Sequence, residues 1–277
     1  MYRFKVLFLQ AILIAGALSS LFSGSASELI CGECDLNINC CSKWHQCGRS
    51  DEHCREENCI KGRCYPKCNS TTLSVSDIVT EKFWNKIAPY LPLQCDNIGF
   101  YTRDVFLAAA DSYLEFASSC SNDVRKREIA AYFAHAVQET SSFCYINQIN
   151  QSTFCEASEE YPCNPNKKYF GRGPLQLRWN YNYIVAGEAL GFDGMNNPEA
   201  VARDAELSFK ASFWTWMYRG VHSTFTHASK GFGETIRIIT QGNECDGSNT
   251  AKMNDRVKYY KKNCNLFRVD PGDDLTC

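Results

Sequence analysis

The segment from Gln138 to Tyr183 carries one carboxylate and one amide where acid–base chemistry could occur. Glu139 ends a helical pattern, and Gln148 follows nine residues later, within the run Q-E-T-S-S-F-C-Y-I-N-Q-I-N. A carboxyl group can give a proton to a leaving oxygen or take one from water, whereas an amide can only hydrogen-bond to that water. The segment therefore contains one group that can transfer protons and a second that cannot.

After a loop with two cysteines, the segment continues as Y-F-G-R-G-P-L-Q-L-R-W-N-Y-N-Y, which is far more specific than a short motif. It resembles the active-site run of the family 19 chitinases, and the resemblance extends from about Ser76 to Cys277. Enzymes of that family cut β-1,4 bonds between N-acetylglucosamine units with inversion, which requires a general acid and a carboxylate that activates water. The resemblance implies that Glu139 is the general acid and that Gln148 replaces the general base.

Further site positions follow from the same resemblance. Arg178 stands where the family has a serine that orients the water, and Thr240 stands where it has an asparagine that helps to hold water and substrate. Glu244 and Arg256 match the glutamate and arginine that form an ion-pair network with the acid. The sugar-contacting positions that the resemblance implies are Gln176, Tyr181, Asn182 and Lys168.

Two alternatives concern neighbouring residues. The loop after Asn150 offers three other carboxylates that could substitute for the base, although a charged surface loop is the simpler interpretation: Glu156, Glu159 and Glu160. His135 lies one turn before Glu139 and either contacts it or is a packed or solvent-facing helix residue.

A cysteine-rich segment precedes this region. Nine of the seventeen cysteines lie between Cys31 and Cys68, a segment too short to bury an adequate core without crosslinks. From Cys40 to Cys54, two adjacent cysteines are followed by gaps of five and six residues, which resembles the hevein-type chitin-binding domain. A zinc site is the alternative, because Cys31-x2-Cys34 is also a metal-ligand spacing.

The resemblance to the hevein domain implies a disulfide pattern and a sugar-binding face. The implied pairs are Cys31–Cys41, Cys34–Cys47, Cys40–Cys54 and Cys64–Cys68, with Cys59 left over. Ser42 and Trp44 match sugar-binding positions, whereas Gln46 and His53 replace aromatic residues. In the larger domain the chitinase pattern implies the pairs Cys95–Cys144, Cys155–Cys163 and Cys245–Cys277. Cys120 and Cys264 remain as a bridge or as free thiols.

The first residues are typical of a secretory signal peptide. Two positive charges precede an apolar run from Val6 to Leu18, and the small residues Gly24-Ser25-Ala26 suit cleavage. We therefore predict a secreted, extracellular protein with a signal peptide at 1–26, the cysteine-rich module at 27–68, a linker at 69–75 and the larger domain at 76–277. Asn69 and Asn150 are potential glycosylation acceptors.

The balance of acidic and basic residues limits the classes of ligand that the protein could bind. Removing Arg3 and Lys5 from the 29 basic residues leaves 27 against 31 acidic residues, a balance that argues against nucleic acid and suits a neutral polymer. Chitin or chito-oligosaccharides are the expected ligands. We expect no membrane partner, no cofactor, no metal and a monomeric chain.

Helical periodicity dominates after the linker. Apolar stripes and capping residues predict helices over 76–91, from Thr102 or Asp104 to Phe116, and over 121–139, 204–218, 234–239 and 251–264. Strand signals are few. The fold class is therefore mainly α: a lysozyme-like bilobal helical domain with a central cleft, preceded by a small disulfide-rich module.

Three functions are compatible with these residues. The first is an inverting endochitinase in which another group activates water. The second is a lectin-like chitin-binding protein without useful turnover. A weaker third hypothesis is a matrix protein that is crosslinked through its odd thiol.

Overall fold

The computed structural model describes residues 40–48, 51–62, 64–88, 95–96, 98–226 and 230–277, with Asp51 described only in its backbone. Within the cysteine-rich module, the strands β1 (Cys40–Ser42), β2 (Cys47–Gly48) and β3 (Cys59–Gly62) form an antiparallel sheet in the order β2-β1-β3. Cys40 pairs with Gly48 on one side and with Gly62 on the other. The short helix α1 (Asp51–Cys54) connects β2 to β3.

The helical domain begins with α2 (Val75–Ile78), α3 (Glu81–Ile87), α4 (Arg103–Ala110) and α5 (Asn122–Thr140). It continues with α6 (Asn180–Leu190), α7 (Ala200–Arg203), α8 (Ala205–Tyr218), α9 (Ser223–Thr226), α10 (Gly231–Thr240) and α11 (Thr250–Phe267). The described residues are therefore mainly helical, as predicted. Helix α5 packs along α11, and α4 packs along α8.

Helix α5 is the centre of the domain. From Glu128 to Val137 its side chains are all buried, so this helix is enclosed on every side rather than amphipathic. Aromatic rings from α3, α4 and α8 surround it: Phe133 lies 5.3 Å from Phe83, 4.8 Å from Phe106 and 6.0 Å from Trp84, measured between ring centroids. This packing fixes the direction in which the last turn of α5 projects its side chains.

Two of the predicted helix limits were wrong. The stripe over 76–91 is divided into α2 and α3, because Thr80 is extended and its hydroxyl accepts a hydrogen bond from the amide of Phe83 at 3.2 Å. The helix capped by Thr102 ends at Ala110 rather than at Phe116. Ser121 and Asp204, the first residues of two predicted helices, cap α5 and α8 and accept hydrogen bonds from the amides of Val124 and Leu207.

Where both cysteines of an implied pair are described, the disulfides agree with the prediction except in the tail of the module. Four implied pairs are bonded: Cys40–Cys54, Cys95–Cys144, Cys155–Cys163 and Cys245–Cys277. The pairing of Cys64 with Cys68 was wrong. Cys64 is bonded to Cys59, which had been left over, and Cys68 is bonded to Cys120 at the start of α5. Cys264 is a buried free thiol, and Cys31 and Cys34 lie outside the described residues.

The Cys68–Cys120 bond ties the end of the cysteine-rich module to the helical domain. Arg125 reinforces this junction, because its guanidinium donates to the carbonyls of Leu73 and Ser118. We expect non-reducing peptide mapping to recover Cys68 linked to Cys120 and Cys59 linked to Cys64. A peptide that joins Cys64 to Cys68 would contradict this arrangement.

Candidate active site

The carboxylate of Glu139 is positioned by the end of α5. Immediately after this helix, Ser141, Ser142 and Phe143 have φ values of 51°, 62° and 64°, so three consecutive residues are left-handed. That conformation is unfavourable for residues other than glycine and persists only where the surrounding structure imposes it. Here the ring of Phe143 is fully buried, 5.6 Å from that of Trp84. The chain therefore turns sharply away just beyond Glu139 and leaves its side chain at the edge of a cleft.

Arg256, from the first half of α11, organises the charged groups around Glu139. Its Nη2 donates to Glu139 Oε1 and, at 3.0 Å, to Glu244 Oε1, while its Nε donates to Glu244 Oε2 at 2.7 Å. Burial opposes the charge on Arg256, but the carboxylates of Glu139 and Glu244 hold its pKa above the ordinary value. The three residues form one ion-pair cluster, which fixes the direction of the Glu139 carboxylate.

His135 supports Arg256 and does not touch Glu139. The hydroxyl of Thr235 donates to the carbonyl of Phe232 at 2.7 Å, so its oxygen accepts a hydrogen bond from His135 Nε2 at 2.9 Å. This leaves His135 Nδ1 as an acceptor for Arg256 Nη1 at 3.1 Å. Burial, followed by the charge of Arg256, lowers the pKa of His135 well below 6.5. The ring is therefore neutral, with its proton on Nε2.

The low pKa of His135 makes a prediction about stability in acid. As the pH falls below about 6.5, the unfolded chain binds a proton at this residue and the folded chain does not, so stability should fall by up to about 1.4 kcal/mol per pH unit. His135→Gln should remove this contribution. Urea unfolding measured between about pH 5 and about pH 7.5 should show a shallower slope in the variant; equal slopes would contradict the assignment.

Gln148 is held by the glycine-rich run. Its backbone amide donates to the carbonyl of Gly171 at 2.8 Å, and its side-chain Oε1 accepts from the amide of Gly171 at 2.9 Å. A Cβ atom at position 171 would lie 2.7 Å from Gln176 Oε1 and 3.0 Å from Gln148 Oε1, so a larger residue would displace the amide of Gln176 and crowd that of Gln148. The amide of Gln148 is thus fixed, with Oε1 engaged by the backbone.

The two groups line one cleft of about 570 Å³. Its walls include the predicted positions Glu139, Gln148, Gln176, Arg178, Thr240, Glu244 and Arg256. A smaller chamber of about 200 Å³ adjoins it and shares Glu139, Gln176, Arg178 and Thr240 with the cleft. Asn182 lines this chamber. The structure therefore brings most of the predicted site residues together.

Several polar side chains of the cleft and chamber walls donate hydrogen bonds to backbone carbonyls of the protein itself. Gln176 donates to the carbonyls of Gly173 and Ile146, Asn182 donates to that of Arg178, and the hydroxyl of Thr240 donates to that of Ile236. Gln176 and Trp179 have φ values of 49° and 75°, so the backbone of this run is strained. Strain of this kind is concentrated at functional sites.

Some predicted residues lie elsewhere. The ring of Tyr181 stacks on that of Trp179 at 6.1 Å. Burial and then the charge of Glu156 raise the pKa of its hydroxyl, whereas the charges of Arg219 and Arg178 oppose the rise. Lys168 is exposed and lines neither volume, and neither do the three exposed loop carboxylates considered as substitutes for the base: Glu156, Glu159 and Glu160.

The predicted sugar-binding face of the module has one exposed member. The ring of Trp44 is 57% exposed, and the ammonium group of Lys43 lies 4.7 Å from its centroid. Ser42 is fully buried, and its hydroxyl accepts a hydrogen bond from the amide of Gln46 at 3.3 Å. The expected contact between Ser42 and an acetamido group is therefore not supported, because the hydroxyl does not reach the surface.

Sequence reasoning missed several residues of the walls: Tyr145, Trp214, Arg219, Asn243 and Lys252. The pattern offered one signal for Arg219, which is a cation directly after the strongly apolar helix α8. The chain reversals that bring the others to the cleft depend on tertiary packing.

Comparisons with known proteins show the family of the helical domain. The family model described as chitinase class I, of glycoside hydrolase family 19, matches residues 78–277. The chain belongs to glycoside hydrolase family 19. An acidic endochitinase of Dioscorea japonica is 49% identical over 248 residues, which cover 88% of this chain and 99% of that protein. Endochitinase EP3 of Arabidopsis thaliana is 45% identical over 259 residues, which cover 92% of each.

Solved structures show that this family 19 protein has the lysozyme-like fold of its relatives. The class IV chitinase of Zea mays matches with a TM-score of 0.68 and 47% identity, covering 73% of this chain and 98% of that one. Chitinase C of Streptomyces griseus matches with a TM-score of 0.67 and 32% identity, covering 74% and 99%. Among the residues that the structure describes, no helix is long and apolar enough to cross a bilayer.

Proposed function

We propose that this family 19 protein binds chitin or chito-oligosaccharides in its cleft and hydrolyses them slowly. The observation that carries the proposal is Gln148, an amide fixed by Gly171 in the same cleft as the carboxylate of Glu139. The relatives supply the ligand class, because they are named chitinases and endochitinases.

Glu139 is the proposed general acid. Inverting hydrolysis needs a proton for the leaving glycosidic oxygen, and Glu139 is the carboxyl of the cleft that lies at the end of a rigid helix. Arg256 and Glu244 are positioning residues in this scheme, since they fix the carboxylate through the ion-pair cluster. This half of the chemistry therefore retains its groups.

The other half has lost its base. An amide cannot accept the proton of an attacking water near neutral pH, and Oε1 of Gln148 already accepts from Gly171. Arg178 stands at the position of the water-orienting serine, and a guanidinium only donates hydrogen bonds. The hydroxyl of Thr240 donates to its own helix. Loss of a general base typically costs a factor of about 10² to 10⁴ in rate, which supports slow hydrolysis.

An active endochitinase is the second candidate. The observation that favours it is the intact cluster of Glu139, Arg256 and Glu244, which holds the carboxylate of the proposed acid in the cleft. In that case another group in the cleft would have to activate the water.

We also propose a secreted protein of two modules, with residues 1–26 as a signal peptide and residues 27–68 as a second chitin-binding unit. Trp44 supports the second binding unit, because its exposed ring can stack on the apolar face of a pyranose. The linker at 69–75 would then join this unit to the domain at 76–277, in a monomeric extracellular protein.

The decisive test is cleavage of a soluble N-acetylglucosamine hexamer by the purified mature protein, with retention on chitin beads measured in parallel. We expect retention with little cleavage, and loss of any residual cleavage in Glu139→Gln. Glu159→Gln is the matched control, because it makes the same change at an exposed glutamate outside the cleft. Rapid cleavage that survives Glu139→Gln would exclude Glu139 as the acid, and absence of retention would exclude chitin binding.

A further inference from the structure

The cleft and its adjoining chamber carry more positive than negative charge. Their charged residues are two acids, Glu139 and Glu244, and four bases, Arg178, Arg219, Lys252 and Arg256. The whole chain has a formal net charge of −2. The positive balance is therefore a property of this site and opposes the sign of the rest of the protein.

Both acids are paired with the same base. Glu139 and Glu244 are each paired with Arg256, which lies between them. Within the described part of the chain, Arg178, Arg219 and Lys252 form no ion pair with a carboxylate, and the guanidinium of Arg178 makes no hydrogen bond. The charge of Glu139 acts on Arg219 from beyond ion-pair distance and partly opposes the fall in its pKa. Arg219 Nη1 donates to the carbonyl of Ile239 at 3.3 Å. Two arginines of the site thus keep donors available for a ligand.

Arg178 and Arg219 line the same chamber of about 200 Å³. Burial, followed by the charge of Arg178, lowers the pKa of Arg219, so the two guanidiniums are close enough to repel each other. Such a pair is unfavourable while it is empty, and an anion placed between the two groups removes the repulsion. Their planar, forked donors match the geometry of a carboxylate.

The remaining walls of the chamber suit a sugar. Trp179 and Trp214 provide aromatic rings, and Asn182 and Asn243 provide amides. Because the chamber shares Glu139, Gln176 and Arg178 with the larger cleft, one continuous chain could occupy both. An anionic group in the chamber would then belong to a unit next to the bond held at Glu139.

We propose that the chamber formed around Arg178 and Arg219 binds a carboxylate carried by one unit of a β-1,4-linked N-acetylhexosamine chain. This inference rests on the proposed function, since it assigns a substrate preference to the same cleft. It also implies discrimination against deacetylated chains, because the ammonium group of a glucosamine unit would be repelled by both arginines.

The test compares two soluble polymers of matched length, anionic carboxymethyl-chitin and neutral glycol chitin, by isothermal titration calorimetry. The intact mature protein should bind the anionic polymer about tenfold more tightly in about 50 mM NaCl, because charge-assisted hydrogen bonds to both arginines are added. The preference should vanish in about 1 M NaCl, where the Debye length is about 3 Å. Attraction by overall charge cannot produce it, because the protein is itself negative.

The variant Arg178→Gln/Arg219→Gln should bind the two polymers equally. The matched control is Arg203→Gln/Arg268→Gln, which removes the same charge at two exposed arginines outside both volumes and should keep the tenfold preference. Equal binding by the unmodified protein, or a preference that persists in Arg178→Gln/Arg219→Gln, would overturn the inference. Failure to bind either polymer would instead overturn the proposed function.

Discussion

Replacing Gln148 by Glu and Arg178 by Ser should raise the turnover of chito-oligosaccharides by about 10²- to 10⁴-fold. The first change supplies a carboxylate that can take the proton from water, and the second replaces a guanidinium by a hydroxyl that can orient that water. The local geometry accommodates the new carboxylate, because one of its oxygens can accept the hydrogen bond that Gly171 now donates to Oε1 of Gln148. The other oxygen takes the place of the amide nitrogen and is available to water.

The measurement is the rate of cleavage of the N-acetylglucosamine hexamer at saturating substrate. Gln138→Glu is the matched control, because Gln138 also lines the cleft and the change adds the same charge at a different position. The variant Gln148→Glu/Arg178→Ser should accelerate cleavage, and Gln138→Glu should not. A high rate in the unmodified protein that the double substitution leaves unchanged would show that another group is the base.

Replacing Arg256 by Met should lower the free energy of unfolding by about 3 to 5 kcal/mol. Arg256 is 2% exposed, and its removal leaves the carboxylates of Glu139 and Glu244 close together without a counter-charge. It also leaves Nδ1 of His135 without its donor. Met fills much of the volume, so the loss reports the broken pairs rather than a cavity.

Urea unfolding followed by tryptophan fluorescence measures this loss. Arg237→Met is the control, because Arg237 forms an exposed pair with Asp246 at 2.7 and 3.0 Å, and such pairs contribute less than about 1 kcal/mol. The deficit of Arg256→Met should shrink in acid, where protonated carboxyl groups carry no charge. Equal losses in the two variants would contradict the central role of Arg256.

The two expected effects separate two properties of the site. The ion-pair cluster around Arg256 stabilises the fold and fixes the position of the Glu139 carboxylate at the end of α5. We expect the residue at position 148 to affect the rate of hydrolysis rather than the architecture, because its amide is held by the same hydrogen bond that a carboxylate could accept. A site can therefore keep its architecture and its ligand while it loses much of its turnover.

Part of the fold could be predicted because its causes are local. The hydroxyls of Ser121 and Thr102 and the carboxylate of Asp204 cap helices where the sequence predicts them, since a cap needs only the next three residues. The interruption between α2 and α3 escaped prediction, because the apolar stripe of Ile78, Phe83 and Ile87 continues through it. Helix α6 was also missed, since it begins inside the run of Asn and Tyr residues that follows Trp179.

The disulfides likewise include one pair that could be predicted and one that could not. Cys155 and Cys163 are eight residues apart and bonded as implied, whereas Cys68 is bonded to Cys120, 52 residues away. The resemblance to the hevein domain had implied the nearby Cys64 as the partner of Cys68. Packing of the module against the start of α5 instead brings Cys68 into contact with the distant Cys120.

By itself, the sequence determined the chemistry available to this protein: a carboxyl at position 139, an amide at position 148 and a mainly helical chain rich in cysteine. Side-chain type and local periodicity follow directly from the order of the residues. Only the tertiary structure decided that His135 is neutral and supports Arg256, 121 residues away, and that Arg178 and Arg219 share a chamber. Those relations depend on how α5, α8, α10 and α11 pack, because burial and proximity between distant segments set hydrogen-bond partners and charge states.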